Sequence, residues 1–103
     1  MTVSALEHLL GAYLHPDWRM DYPDSLAAVS DFARSEPDSA PKLRQEVTTL
    51  LSQGLSDVEL REYLVTEMGS WYLPDGDGWS SCTAWLLAAV DRVDEVLRKS
   101  PAA

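Results

Sequence analysis

Residues 55–69 read LSDVELREYLVTEMG. Ser56 followed three residues later by Glu59 is a capping box: the serine hydroxyl takes an amide of the first turn, and the glutamate returns to the serine amide. Leu55 just before the cap pairs with Leu60 as a hydrophobic staple. Leu60, Tyr63, Leu64 and Met68 then recur at three- and four-residue spacing, which is one face of a helix. Gly69 supplies the stop. Start signal, stripe and stop agree, and they set the reading of the rest of the chain.

The same grammar extends in both directions. Leu6, Leu9, Leu10, Tyr13 and Leu14 predict a helix from about Thr2 to Leu14, ended at His15 because Pro16 disfavours helical geometry in the residue before it. His15 to Tyr22 reads as an irregular connection. Pro23 and Asp24 suit a helix start, and Leu26, Val29, Phe32 and Ala33 carry a second helix to about Arg34. SEPDSAP (35–41) is a linker by composition. A third helix follows Pro41, with Leu43, Val47, Leu50 and Leu51 inward and Gly54 as its stop. SWYLPDGDGWSS (70–81) is rich in turn formers and aromatics and is read as an ordered loop. The last helix begins near Ser80 or Ser81. Trp85, Leu86, Ala89, Val90, Val93 and Leu97 form its stripe, Arg98 and Lys99 complement its negative end, and Pro101 closes it. The expectation is an all-α, single-domain bundle of about five helices spanning residues 1–103, with a long aromatic and acidic loop before the last helix.

Composition narrows the function. The 103 residues are 46% hydrophobic and 24% charged, with one cysteine, Cys82, which excludes an internal disulfide framework. No apolar run reaches the length of a membrane span, and the N-terminus has no basic start and carries Glu7, so a cytoplasmic protein without a signal peptide is expected. Seventeen acids against eight bases give a formal net charge of −9. Nucleic acid and anionic membrane both demand the opposite sign, so neither is expected as a partner. A basic protein is the complementary one.

The chemical constellations are weak. His8 and His15 are seven residues apart with Pro16 breaking the chain beside the second. Asp75 and Asp77 begin like a calcium loop, but Ser80 stands where that loop needs glycine and Leu86 where it needs glutamate. No metal or other cofactor is expected. Cys82 sits among Trp79, Trp85 and Leu86, the setting of a structural thiol, and Ser80 and Ser81 lack a nucleophile elbow. Tyr13-Leu14-His15-Pro16-Asp17-Trp18 gathers acid–base types around a bend. There His15 bonding backbone near the first helix end, and Asp17 bonding amides of the turn, compete with an acid–base pair; no oxyanion hole or substrate clamp accompanies it. Tyr13, His15, Asp17, Trp18 and Trp85 are therefore read as structural, and no residue as catalytic.

The loop is the better candidate for binding. No Lys, Arg or His occurs between Arg61 and Arg92, while Glu62, Glu67, Asp75, Asp77 and Asp91 do. Trp71, Tyr72 and Trp79 bracket the two loop aspartates, and large aromatics anchor interfaces as readily as cores. Turn chemistry is expected to keep Asp75 and Asp77 in solvent. Asp75, Asp77 and Trp79, with Asp17 and Asp21, are the expected partner-binding residues.

YLHPDW resembles the Y-F-H-Q-D-W signature of a family of immunity proteins from bacterial contact-dependent growth inhibition systems. The capped Ser56–Glu59 helix ending at Gly69, then Tyr72, Pro74, Asp77, Gly78 and Trp85-Leu86, follows in the order of that family's later pattern. The resemblance covers most of the chain; Leu14 and Pro16 depart from the commoner Phe and Gln. It implies a small, mostly helical cytoplasmic protein with no enzymatic activity that binds the C-terminal toxin domain delivered by a neighbouring cell and blocks its active site. Toxins of the family include ribonucleases, which carry basic surface, so the resemblance implies a basic nuclease as partner. Two alternatives stand beside it: an acidic helical adaptor for a basic protein unrelated to toxins, and a small hydrolase using His15 and Asp17.

Overall fold

In the computed structural model, which describes residues 4–99, the chain starts as helix α1 (Ala5–His8) and widens into a π-helix over Leu9–Tyr13. Ser4 Oγ accepts the Glu7 amide at 3.0 Å. The first two amides of α1, from Ala5 and Leu6, go to the Glu46 carboxylate at 2.8 and 3.0 Å. A side chain forty residues away thus satisfies donors that a helix start cannot satisfy itself. The stripe read for the first helix is confirmed, with Leu6, Leu9, Leu10 and Leu14 all buried. Its regular α geometry is not: Leu14 bonds back five residues to Leu9, at 3.1 Å, the signature of a π turn. Thr2 lies outside the described residues.

The connection expected to be irregular holds one helical turn, α2 (Trp18–Asp21). Four residues are too few for apolar periodicity to register, which is why the sequence reading passes over it. Next come α3 (Ser25–Ser35) and α4 (Ala40–Leu51). Asp24 is the cap of α3, its carboxylate accepting the Ala27 amide at 2.8 Å. Helix α4 begins one residue before Pro41 rather than after it, placing the proline in the first turn. The missing N–H costs nothing there, since first-turn amides have no intrahelical acceptor. Gly54 closes the following turn at φ 70°.

The capping box of α5 (Asp57–Thr66) forms as read, with Ser56 Oγ accepting the Glu59 amide at 3.2 Å and Glu59 Oε1 accepting the Ser56 amide at 3.0 Å. The Ser56 amide holds the Glu59 carboxyl below its ordinary value. Leu55 and Leu60 both join the core. Residues 70–81 carry no regular element except one 3-10 turn at Pro74–Asp77. Helix α6 (Cys82–Lys99) packs against α3, α4 and α5. Its Trp85, Leu86, Ala89 and Val93 are buried, while Val90 and Leu97 lie half-buried beside them. Asp57, at the start of α5, accepts the Cys82 amide at 2.9 Å and so joins the beginnings of two helices. The result is the all-α bundle expected, with no strand among the described residues.

Candidate partner-binding site

The bend and the loop, far apart in sequence, meet on one chain of polar and aromatic contacts. Trp85, fully buried, donates through Nε1 to Ser25 Oγ at 3.0 Å. Ser25, itself buried, lies 3.0 Å from the Tyr72 hydroxyl. Tyr72 donates to Asp77 Oδ2 at 2.7 Å. A phenol has one proton and a carboxylate only accepts, so Ser25 sends its own proton to the Tyr72 oxygen. Asp77 Oδ1 takes a hydrogen bond from Arg19 Nη2 at 2.9 Å. The Arg19 guanidinium also lies 4.8 Å above the Trp18 ring, and Trp18 meets Tyr72 edge-on at 5.4 Å. Tyr72 in turn packs on Trp85 at 5.1 Å. Burial pushes the Tyr72 phenol well above its ordinary value, and the adjacent Asp77 adds to this. No buried side-chain nitrogen or oxygen among the described residues lacks a hydrogen-bond partner.

This arrangement corrects one expectation. Asp77 does not stand in solvent: its side chain is 19% exposed and is held by Tyr72 and Arg19. The fold also brings a base to the acidic window between Arg61 and Arg92: Arg19, from α2, pairs with Asp77. Asp75 occupies the second position of the 3-10 turn. Trp79 is half-buried and lines a cleft with Asp24, Leu26 and Asp77.

The YLHPDW residues divide into side chains held within the fold and one that is not. Trp18 is buried. Tyr13 packs edge-on against Phe32 at 5.6 Å and donates to Glu36 at 2.8 Å. His15 Nδ1 accepts the Asp17 amide at 3.2 Å, which pins the bend. His15 Nε2 lies 3.2 Å from Asp21 Oδ2. The exception is the Asp17 side chain, which makes no cap bond to α2 and faces solvent. The fold therefore does not bring His15 and Asp17 together as an acid–base pair; their link runs through the Asp17 backbone. Cys82 is buried, and no group of three or more potential metal-ligating side chains gathers among the described residues.

Sequence reasoning missed Arg19 and Ser25, which complete the network, and it did not separate Trp71 from the other tryptophans. Trp71 is 73% exposed while Ser70 and Tyr72 on either side are buried. A polar, apolar, apolar run gives no local sign of that alternation.

The Tyr13 hydroxyl and the His15 ring are thus taken up within the fold, while Asp17, Arg19, Met20, Asp21 and Trp71 are exposed. A family model described as CdiI immunity protein matches residues 2–93, and the chain belongs to that family. It is an immunity protein of contact-dependent growth inhibition, which neutralises a cognate toxin and is an inhibitor rather than an enzyme. Comparison with curated proteins and with solved structures finds no match. No helix of the described residues is long and apolar enough to cross a membrane.

Proposed function

We propose that the toxin neutralised by this chain is a basic nuclease, that it is met in the cytoplasm, and that α2 with residues 70–79 covers its active site. The observation that carries this is the net charge of −9, together with its local distribution. Arg19, the base that packs against the loop, is committed to Asp77. The exposed charge on either side of it is that of Asp17 and Asp21, the latter with 58% of its side chain in solvent. A nuclease holds phosphates with basic side chains. An acidic inhibitor matches that surface and is steered to it at long range. Asp75 and Trp79 belong to the same proposed face.

The test pairs this chain with the C-terminal toxin domain of a toxin-delivery protein sought among the products of the neighbouring genes. Cleavage of RNA and DNA by that domain should stop at stoichiometric inhibitor, and nucleic acid and inhibitor should exclude one another in binding. A toxin that still binds nucleic acid while inhibited would place the contact away from its active site. Asp17→Asn with Asp21→Asn should slow association and flatten its salt dependence while leaving dissociation near the parent value.

A further inference from the structure

The segment after α5 holds Trp71 out of the protein on a backbone that cannot easily turn. Ser70 Oγ accepts the Tyr72 amide at 3.1 Å and donates to the Tyr72 carbonyl at 2.7 Å. One hydroxyl therefore clamps both backbone groups of the residue beyond Trp71. The Ser70 amide is itself tied to Leu64 O in α5 at 2.9 Å. On the far side, Tyr72 is locked by Ser25, Asp77, Trp18 and Trp85. Between these two anchors Trp71 is 73% exposed, whereas Trp18 and Trp85 are 6% and 0% exposed. A large aromatic left in water on a fixed backbone gains little from its own fold, while its ordering cost for binding has already been met. Trp71 shares a shallow cleft with Arg19, Leu73 and Asp77. Met20, the residue after Arg19, is 85% exposed.

We propose that Trp71 is the anchor of the toxin interface, inserting into an apolar pocket of the toxin domain whose rim is basic. The proposal rests on the toxin-binding reading above and names the residue that supplies its binding energy. The occupant follows from charge. Asp17 and Asp21 flank Arg19 in α2 and Asp77 neutralises it, so an apolar surface approaching Trp71 meets a net negative rim. A second copy of this chain, itself of net charge −9, would set the same acidic rim against this one, which disfavours self-association there. Centrally placed tryptophans dominate interfaces of this kind, and acidic neighbours set encounter rate rather than lifetime.

The experiment measures association and dissociation of the full chain with its cognate toxin domain, for the parent, Trp71→Ala and Trp71→Phe. Urea denaturation of each variant comes first; both should unfold at the parent midpoint, because the side chain is exposed. Trp71→Ala should then raise dissociation about 30-fold or more, with association nearly unchanged, and Trp71→Phe should recover part of the loss. Hydroxyl-radical footprinting of the parent should label Trp71 in the free chain and protect it in the complex. A dissociation rate for Trp71→Ala within tenfold of the parent overturns the proposal, as does equal labelling of Trp71 free and bound. So does a concentration-dependent dimer of the parent that Trp71→Ala abolishes. Failure of the parent itself to bind the toxin domain is a different result and defeats the underlying reading of the partner.

Discussion

Tyr72 and Asp77 are five residues apart and joined by a 2.7 Å hydrogen bond from phenol to carboxylate, which closes the aromatic loop on itself. The same carboxylate holds Arg19 from the other side of the bend. The pair is thus the point where the YLHPDW bend, the loop and, through Ser25, the last helix are fastened together. Tyr72→Phe removes the hydroxyl and leaves Ser25 and Asp77 each short of a partner. Asp77 keeps Arg19 and some water, so the cost should fall near the lower part of the range for bonds to charged groups, about 1–2 kcal/mol. Equilibrium urea unfolding measures it; an unchanged midpoint would show that the loop closes without this bond.

Alkaline pH should loosen the protein through its phenols. Tyr13, Tyr22 and Tyr72 are all raised above their ordinary value of 10.0, chiefly by burial, and Tyr22 is pushed up to about 12 with Asp31 beside it. The unfolded chain loses these protons first, so it binds fewer protons than the native state and stability falls as pH rises. The stabilisation is fully present below about pH 10 and is lost as pH climbs through the raised native values. Urea midpoints measured between pH 9 and pH 12 (about one step per half unit) should decline, and Tyr22→Phe should make the decline shallower.

Trp85 carries the largest single-residue share of the core. It is fully buried on the central helix, packs on Tyr72 and donates to Ser25. Trp85→Ala should cost about 3–5 kcal/mol, a large part of a small domain's stability. Thermal unfolding followed by circular dichroism checks it.

Asp57 links two helix starts, accepting the Cys82 amide at 2.9 Å and the Thr83 amide at 3.4 Å. Replacing it by alanine removes a cap donated from another helix and should cost about 0.5–2 kcal/mol. Hydrogen exchange resolves the effect: the first-turn amides of α6 should lose protection before those near Val93.

His15 tests the reading of the bend as architecture. Its Nδ1 accepts the Asp17 amide at 3.2 Å in an exposed setting, so His15→Ala should lower stability by about 0.5–1 kcal/mol. Toxin protection should survive in the folded fraction. Full stability with lost protection would instead place His15 in the interface.

Much of the fold was legible because helix signals act over three or four residues. Ser56 and Glu59 reach each other within one turn, and Asp24 reaches Ala27, so both starts were open to local reading. The stripes of α4 and α6 follow from the helical period in the same way. The π turn over Leu9–Tyr13 and the single turn of α2 were not legible, since each is shorter than the window in which a period shows. The candidate site was legible in outline, as aromatics and aspartates in a loop and as a resemblance carried by YLHPDW. Its state was not: Asp77 reads as exposed from turn chemistry and is held by two side chains in the fold.

By itself, the sequence determined the helical class, most helix starts and stops, the excess of acid and the family, because each depends on residue types at fixed short spacings or on a sum over the chain. The tertiary structure alone decided which charge meets which. Arg19 reaches Asp77 across fifty-eight residues, and Glu46 reaches the α1 amides across about forty. It also decided that, among neighbouring aromatics of similar chemistry, Tyr72 is buried and Trp71 faces solvent. Packing makes those choices: the direction of a side chain depends on which helix lies beneath it, and no local spacing encodes that.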